Sequence, residues 1–141
     1  MKNLNTQKPI LKLLPNPVNG VIGKFLMDNS DYFNQLKSIS SGLFPDGGNF
    51  NGYIAVLPEH PFYGKGYDEV NEMLDKKDFY VHGGLTLAEN SLFCPDLPIK
   101  SKYWILGFDT RHAGDTSEYW TEERTWEETN KLMQAAINYG E

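Results

Sequence analysis

The chain has 141 residues, 40% of them hydrophobic and 23% charged, which excludes a disordered polymer and suffices to bury a core without staples. A net charge of −6 excludes non-specific binding to a nucleic-acid backbone, which needs clustered lysine and arginine. The single cysteine, Cys94, excludes an internal disulfide, and no apolar run is long enough to span a membrane. The N-terminal patch "ILKLL" is too short, and too interrupted by Lys12, for a secretory signal, so a cytoplasmic protein without a membrane partner is expected.

Residues 1–9 are polar and expected to be loose. "ILKLL" (10–14) predicts a strand closed by Pro15 and Pro17, and "GVIGKFLMD" (20–28) predicts a second. "SDYFNQLKSIS" (30–40) opens on a capping serine and spaces Tyr32, Phe33, Leu36 and Ile39 as a helix does. "FPDGGNFNG" (44–52) is dense in turn formers. "YIAVL" (53–57) predicts a buried strand, which "PEHPFYGKG" (58–66) breaks. "YDEVNEMLDK" (67–76) predicts a helix with Val70, Met73 and Leu74 inward.

"FYVHGGLTLA" (79–88) predicts a strand interrupted at Gly83 and Gly84, followed by a loop over 89–101 pinned by Pro95 and Pro98. "YWILGF" (103–108) is the clearest strand, and 109–124 follows as a polar loop. "TWEETNKLMQAAINYGE" (125–141) is the strongest helix. Thr125 and Glu128 match a T-x-x-E capping box, Gly140 sits where a C-cap glycine belongs, and Trp126, Thr129, Met133 and Ile137 share a face. Strands and helices mix without β-α-β alternation. The expectation is a single α+β domain over 1–141, with a largely antiparallel sheet and two or three helices, one of them C-terminal.

Chemistry concentrates where strands end. His60, His82 and His112 each lie at or near the end of an expected strand, and each is followed within two residues by Gly or Pro. If those strand ends share one edge of the sheet, the three histidines converge on one pocket. Gly83 and Gly84 can present free N–H groups to an anion, or form a plain turn. Arg111, whose planar fork matches phosphate or carboxylate, and Lys65 are the candidate anion contacts. Asp109 and Asp115 flank Arg111 and His112, and Tyr67 and Tyr80 can stack on a planar ligand or pack in the core. Tyr119 and Trp120, set in a polar loop, suggest an interface. A metal site built from the three histidines with Asp109 or Asp115 is the sharper alternative, although no H-x-x-x-H spacing occurs. No Walker loop, Rossmann fingerprint or G-x-S-x-G elbow is present, so no organic cofactor and no serine nucleophile are expected.

The segments "GYIAVLPEHPFYGKGYD", "VHGGLT" and "WILGFDTRHAGD", followed by a C-terminal helix, resemble a family of small proteins found in bacteriophage genomes and prophages. The resemblance covers residues 52–138, with departures at Leu57 and at Thr110-Arg111. It implies a counter-defence protein. The expected function is an oligomeric binding protein that holds a phosphate-bearing small molecule, such as a nucleotide immune signal. Its ligand contacts would be His60, Lys65, Tyr67, His82, Gly83, Gly84, Asp109, Arg111, His112 and Asp115, with no cofactor. Two alternatives stand beside it. One is an inhibitor whose acidic residues Glu118, Glu122, Glu123, Glu127 and Glu128 cap a host nuclease or effector. The other is a small metal-dependent hydrolase.

Overall fold

Asn19 and Gly20 both take positive φ, 49° and 82°, the geometry of the two-residue turn that Asn-Gly pairs favour between twisted antiparallel strands. In the computed structural model, which describes residues 7–97 and 102–141, this turn joins β1 (Lys8–Val18) to β2 (Val21–Asp28). Of the N-terminus expected to be loose, residues 1–6 lie outside the described residues, and Lys8 already belongs to β1. Pro15 and Pro17 do not close β1 as expected. The pairing register with β2 shifts between Leu13 and Val18, and the strand continues past both prolines. An edge strand tolerates this because its outer N–H groups have no partner to lose.

The sheet is completed by β3 (Phe50–Val56), β4 (Leu87–Asn90) and β5 (Trp104–Phe108), in the order β1-β2-β3-β5-β4 with every neighbouring pair antiparallel. Among the described residues three α-helices accompany it: α1 (Ser30–Ile39), α2 (Tyr67–Asp75) and α3 (Glu122–Tyr139). The architecture is α+β, with an antiparallel sheet and a C-terminal helix.

Central strands bury both faces, which is why "YIAV" in β3 is a continuous apolar run. Ile54 and Val56 join Val21, Leu106 and Phe108 beneath Leu132, Met133 and Ala136 of α3 and Val70 and Leu74 of α2. Tyr53 and Ala55 point the other way, to Ile22, Phe25 and Ile105, under Cys94 and Leu97 from the segment after β4. The expected loop over 89–101 lies outside the described residues at 98–101. Before that it carries the end of β4 and a single 3₁₀ turn at Ser91–Phe93.

The helix expected over 30–40 forms as α1, with Asn29 in place of Ser30 at the N-cap position and none of its residues fully buried. The expectation for the C-terminal helix is corrected. α3 begins at Glu122, with Thr121 as its N-cap, accepting from Arg124 N–H at 3.1 Å. Thr125 is buried one turn in and donates to the Thr121 carbonyl, so the capping box at Thr125 and Glu128 does not form. The buried face is Thr125, Thr129, Leu132, Met133 and Ala136. Trp126 instead lies at the rim, with the Lys12 ammonium 4.2 Å from its ring centre.

Candidate functional site

Strand direction decides which histidines meet. β3 and β5 are antiparallel, with Gly52 opposite Phe108 and Val56 opposite Trp104. His60, beyond the end of β3, and His112, beyond the end of β5, therefore lie at opposite ends of the sheet. The expected three-histidine pocket does not form. His82 reaches His112 by a different route from the one expected. The strand predicted over 79–88 is confined to β4, because Gly83 and Gly84 adopt φ of 70° and 77° and turn the chain. His82 thus lies just before β4 instead of at the end of a strand. β4 runs antiparallel to β5, with Leu87 opposite Gly107, so its beginning lies beside the end of β5. The His82 and His112 ring centres are 5.2 Å apart.

Asp115 is the hub of this pair. His82 Nε2 lies 3.0 Å from its Oδ1 and 2.9 Å from its Oδ2, and His112 Nδ1 lies 3.3 Å from Oδ2. The His112 backbone N–H donates to Oδ2 at 2.9 Å, and the Trp120 indole N–H donates to Oδ1 at 3.2 Å. Burial by itself would raise the Asp115 pKa. The bond from His82, the His112 N–H, the His82 charge and the Trp120 indole outweigh it and hold the carboxyl below its ordinary value. His82, His112 and Asp115 each offer one ligand atom, all within 4.8 Å of one another.

Around this centre stand residues that hold the backbone and rings. Glu128 of α3 accepts the His82 backbone N–H at 2.8 Å. Trp120 is buried with its ring 4.4 Å from that of His82, so it seals the cluster and does not form the expected interface. Asp109, at the end of β5, accepts from the Thr86 hydroxyl at 3.1 Å and the Arg111 backbone N–H at 3.0 Å. Thr86, Trp120 and Glu128 escaped the sequence reading as site residues. Glu128 looked like a helix cap and an acidic surface group, Trp120 looked like an interface aromatic, and no local pattern distinguished Thr86.

The remaining sequence candidates serve elsewhere. His60 is 3% exposed, with Nε2–H donating to the Ala136 carbonyl at 2.8 Å and Nδ1 accepting from Phe62 N–H at 3.0 Å. Burial lowers its pKa, against the bond to Ala136. Ala136 lies eight residues along α3 from Glu128, about 12 Å at the helical rise. Lys65 donates to the Pro61 carbonyl, and its own carbonyl accepts from the Trp104 indole at the far end of β5. Tyr67 opens α2 and is exposed. Gly84 faces the Asn71 side chain, which pairs with both backbone groups of Leu85. Arg111 does not face the histidine cluster. Its guanidinium lies 3.6 Å over the Phe33 ring and donates to the carbonyls of Gly48 and Pro45. A planar cation finds an aromatic face and two carbonyls there, and it ties α1 and the 44–48 loop to the sheet.

The site is thus two imidazoles among three carboxylates, with the Arg111 guanidinium turned away toward Phe33. Comparison with family models, with curated proteins and with solved structures found no match.

Proposed function

We propose that this protein is a metal-dependent hydrolase whose cation is held by His82, His112 and Asp115. The observation that carries this reading is the convergence of their three ligand atoms within 4.8 Å. A zinc-like ion with bonds of 2.0–2.2 Å spaces its ligand atoms by roughly 3.3–3.6 Å in a tetrahedron. The His112–Asp115 separation of 3.3 Å fits that spacing; the His82–Asp115 separation of 2.9 Å is shorter, and the set as a whole spans up to 4.8 Å, so the two rings must shift to close on an ion. Two nitrogens and one oxygen suit a first-row transition ion. Magnesium and calcium favour all-oxygen sets.

Three protein ligands leave positions open on the ion, the hallmark of catalytic sites rather than structural ones. A bound water there becomes acidic enough to supply hydroxide near neutral pH. The open positions also resolve a conflict of charge. Lys65 and Arg111 do not reach the cluster, so a phosphate-bearing substrate would meet three carboxylates beside the two imidazoles, with Lys131 held 3.9 Å from Glu128 at the edge. The cation supplies the positive charge that such a substrate needs. The phage-family resemblance implies a counter-defence setting, and a nucleotide immune signal, there expected as a bound ligand, would be the substrate of this chemistry.

The test is a calorimetric titration of chelator-treated protein with Zn²⁺, Mn²⁺ and Mg²⁺, followed by assay against bis(p-nitrophenyl) phosphate. The expected result is one equivalent of transition ion bound, no saturable Mg²⁺ binding, and release of nitrophenol that His82→Ala abolishes. Saturation at 100 times Kd should also stabilise the fold by about 2.7 kcal/mol. Absence of ion binding, or binding untouched by His82→Ala, overturns the assignment. Ion binding without turnover of any phosphoester removes the hydrolase and leaves a ligand-holding protein.

A further inference from the structure

His112 is bracketed by carboxylates on both ring nitrogens: Nδ1 lies 3.3 Å from Asp115 Oδ2, and Nε2 lies 3.4 Å from Asp109 Oδ1. Both nitrogens are shielded from solvent, and neither makes a well-formed hydrogen bond. A neutral imidazole carries one N–H and one lone pair, so it can donate to only one of two acceptors. The other nitrogen then faces a carboxylate with nothing between them. A cation at Nδ1 removes this conflict, because the lone pair and Asp115 then share the ion while the proton stays on Nε2, facing Asp109.

Asp109 is built to hold that proton in place. It is the first residue past the end of β5, and its carboxylate is fixed from two directions. The Thr86 hydroxyl, just before β4, donates to Oδ2 at 3.1 Å, and the Arg111 backbone N–H donates to Oδ1 at 3.0 Å. The same antiparallel pairing that brings His82 to the cluster brings Thr86 to Asp109.

The geometry points to Asp109 as the positioning residue of the site: it accepts the Nε2–H of His112, fixes the Nδ1 lone pair toward the ion, and makes the imidazole a stronger donor. This carboxylate–histidine–metal relay is a general device of metal sites, in which loss of the outer carboxylate typically weakens binding 10- to 100-fold. The inference rests on the proposed metal site. It adds a residue that touches neither ion nor substrate, together with Thr86 as its support.

Cobalt tests it, because the visible spectrum of bound Co²⁺ reports ligand identity and geometry. Wild type, Asp109→Ala, Asp109→Asn and Thr86→Val would be titrated with Co²⁺ and then competed with Zn²⁺. The expectation is a 10- to 100-fold weaker affinity for Asp109→Ala with an altered visible band. Asp109→Asn, whose amide oxygen still accepts the Nε2–H, should recover part of the affinity and most of the wild-type band. Thr86→Val, at an exposed position, should weaken binding several-fold and keeps the test open if Asp109→Ala does not fold. Wild-type affinity and spectrum in both Asp109→Ala and Thr86→Val would overturn the role of Asp109 while leaving the metal site standing. Failure of the wild type to bind Co²⁺ or Zn²⁺ at all would overturn both.

Discussion

Replacing Gly83 with alanine isolates the contact on which the cluster depends. Gly83 adopts φ of 70°, and a Cβ built there would lie 2.1 Å from His112 Cε1, 2.5 Å from Nε2 and 2.6 Å from Nδ1. The left-handed conformation costs an alanine about 1–2 kcal/mol. To restore a carbon contact of roughly 3.5 Å the imidazole must retreat by about 1.4 Å, which breaks its approach to Asp109 and Asp115. Those contacts are partly exposed and contribute about 1 kcal/mol at most. The expected total is a loss of about 2–3 kcal/mol together with the metal affinity that His112 provides.

Two other glycines separate strain from displacement. Gly64 has φ of 77° with nothing within 4 Å of its Cβ position, and Gly84 has φ of 77° with its nearest atom at 3.5 Å. Gly64→Ala and Gly84→Ala should therefore show only the strain, about 1–2 kcal/mol. Urea unfolding and Zn²⁺ titration of all three variants provide the assay. Gly83→Ala should lose metal binding, whereas Gly64→Ala should keep it. Wild-type affinity in Gly83→Ala, or an equal loss in Gly64→Ala, would refute the reasoning.

His60→Ala should destabilise by about 2–4 kcal/mol, because it opens a cavity and leaves the Phe62 N–H and the Ala136 carbonyl unpaired, while Zn²⁺ affinity stays unchanged. Because the folded-state pKa of His60 is lowered, its contribution is fully present above its unfolded value and is lost as pH falls below it, so stability measured by urea midpoint should decline from pH 7 toward 5. That slope should flatten in His60→Ala. Arg111→Ala should cost about 2–3 kcal/mol by removing the aromatic stack and two carbonyl bonds, and increased hydrogen exchange should appear in α1 and the 44–48 loop with metal binding retained. Thr121→Ala should lower stability by about 1 kcal/mol through loss of the N-cap, an effect that thermal melting would register.

Much of the fold was legible in local pattern. The apolar runs of β2, β3 and β5, the inward spacing of Val70 and Leu74 in α2, and the existence of the C-terminal helix follow from periodicity and turn chemistry, which act over a few residues. The region of the site was legible too, since a buried strand running straight into Asp109, Arg111, His112 and Asp115 delivers polar groups to a sheet end. Boundaries failed where a distant group competed for a local one. Thr125 and Glu128 have the spacing of a capping box, but Glu128 binds the His82 backbone across the fold, and Thr121 takes the cap.

Membership of the site was decided by tertiary structure alone. Sequence spacing places His60, His82 and His112 in similar surroundings and is blind to strand direction. The antiparallel pairing of β3 with β5 sends His60 to the far end of the sheet. The pairing of β4 with β5 brings His82 and Thr86 back to His112 and Asp109. Arg111 carries the charge that an anion would seek, but its planar face has a nearer partner in Phe33, and two backbone carbonyls hold it there. A side chain's chemistry is written in its identity, but the groups it meets are set by which strand ends the sheet places together.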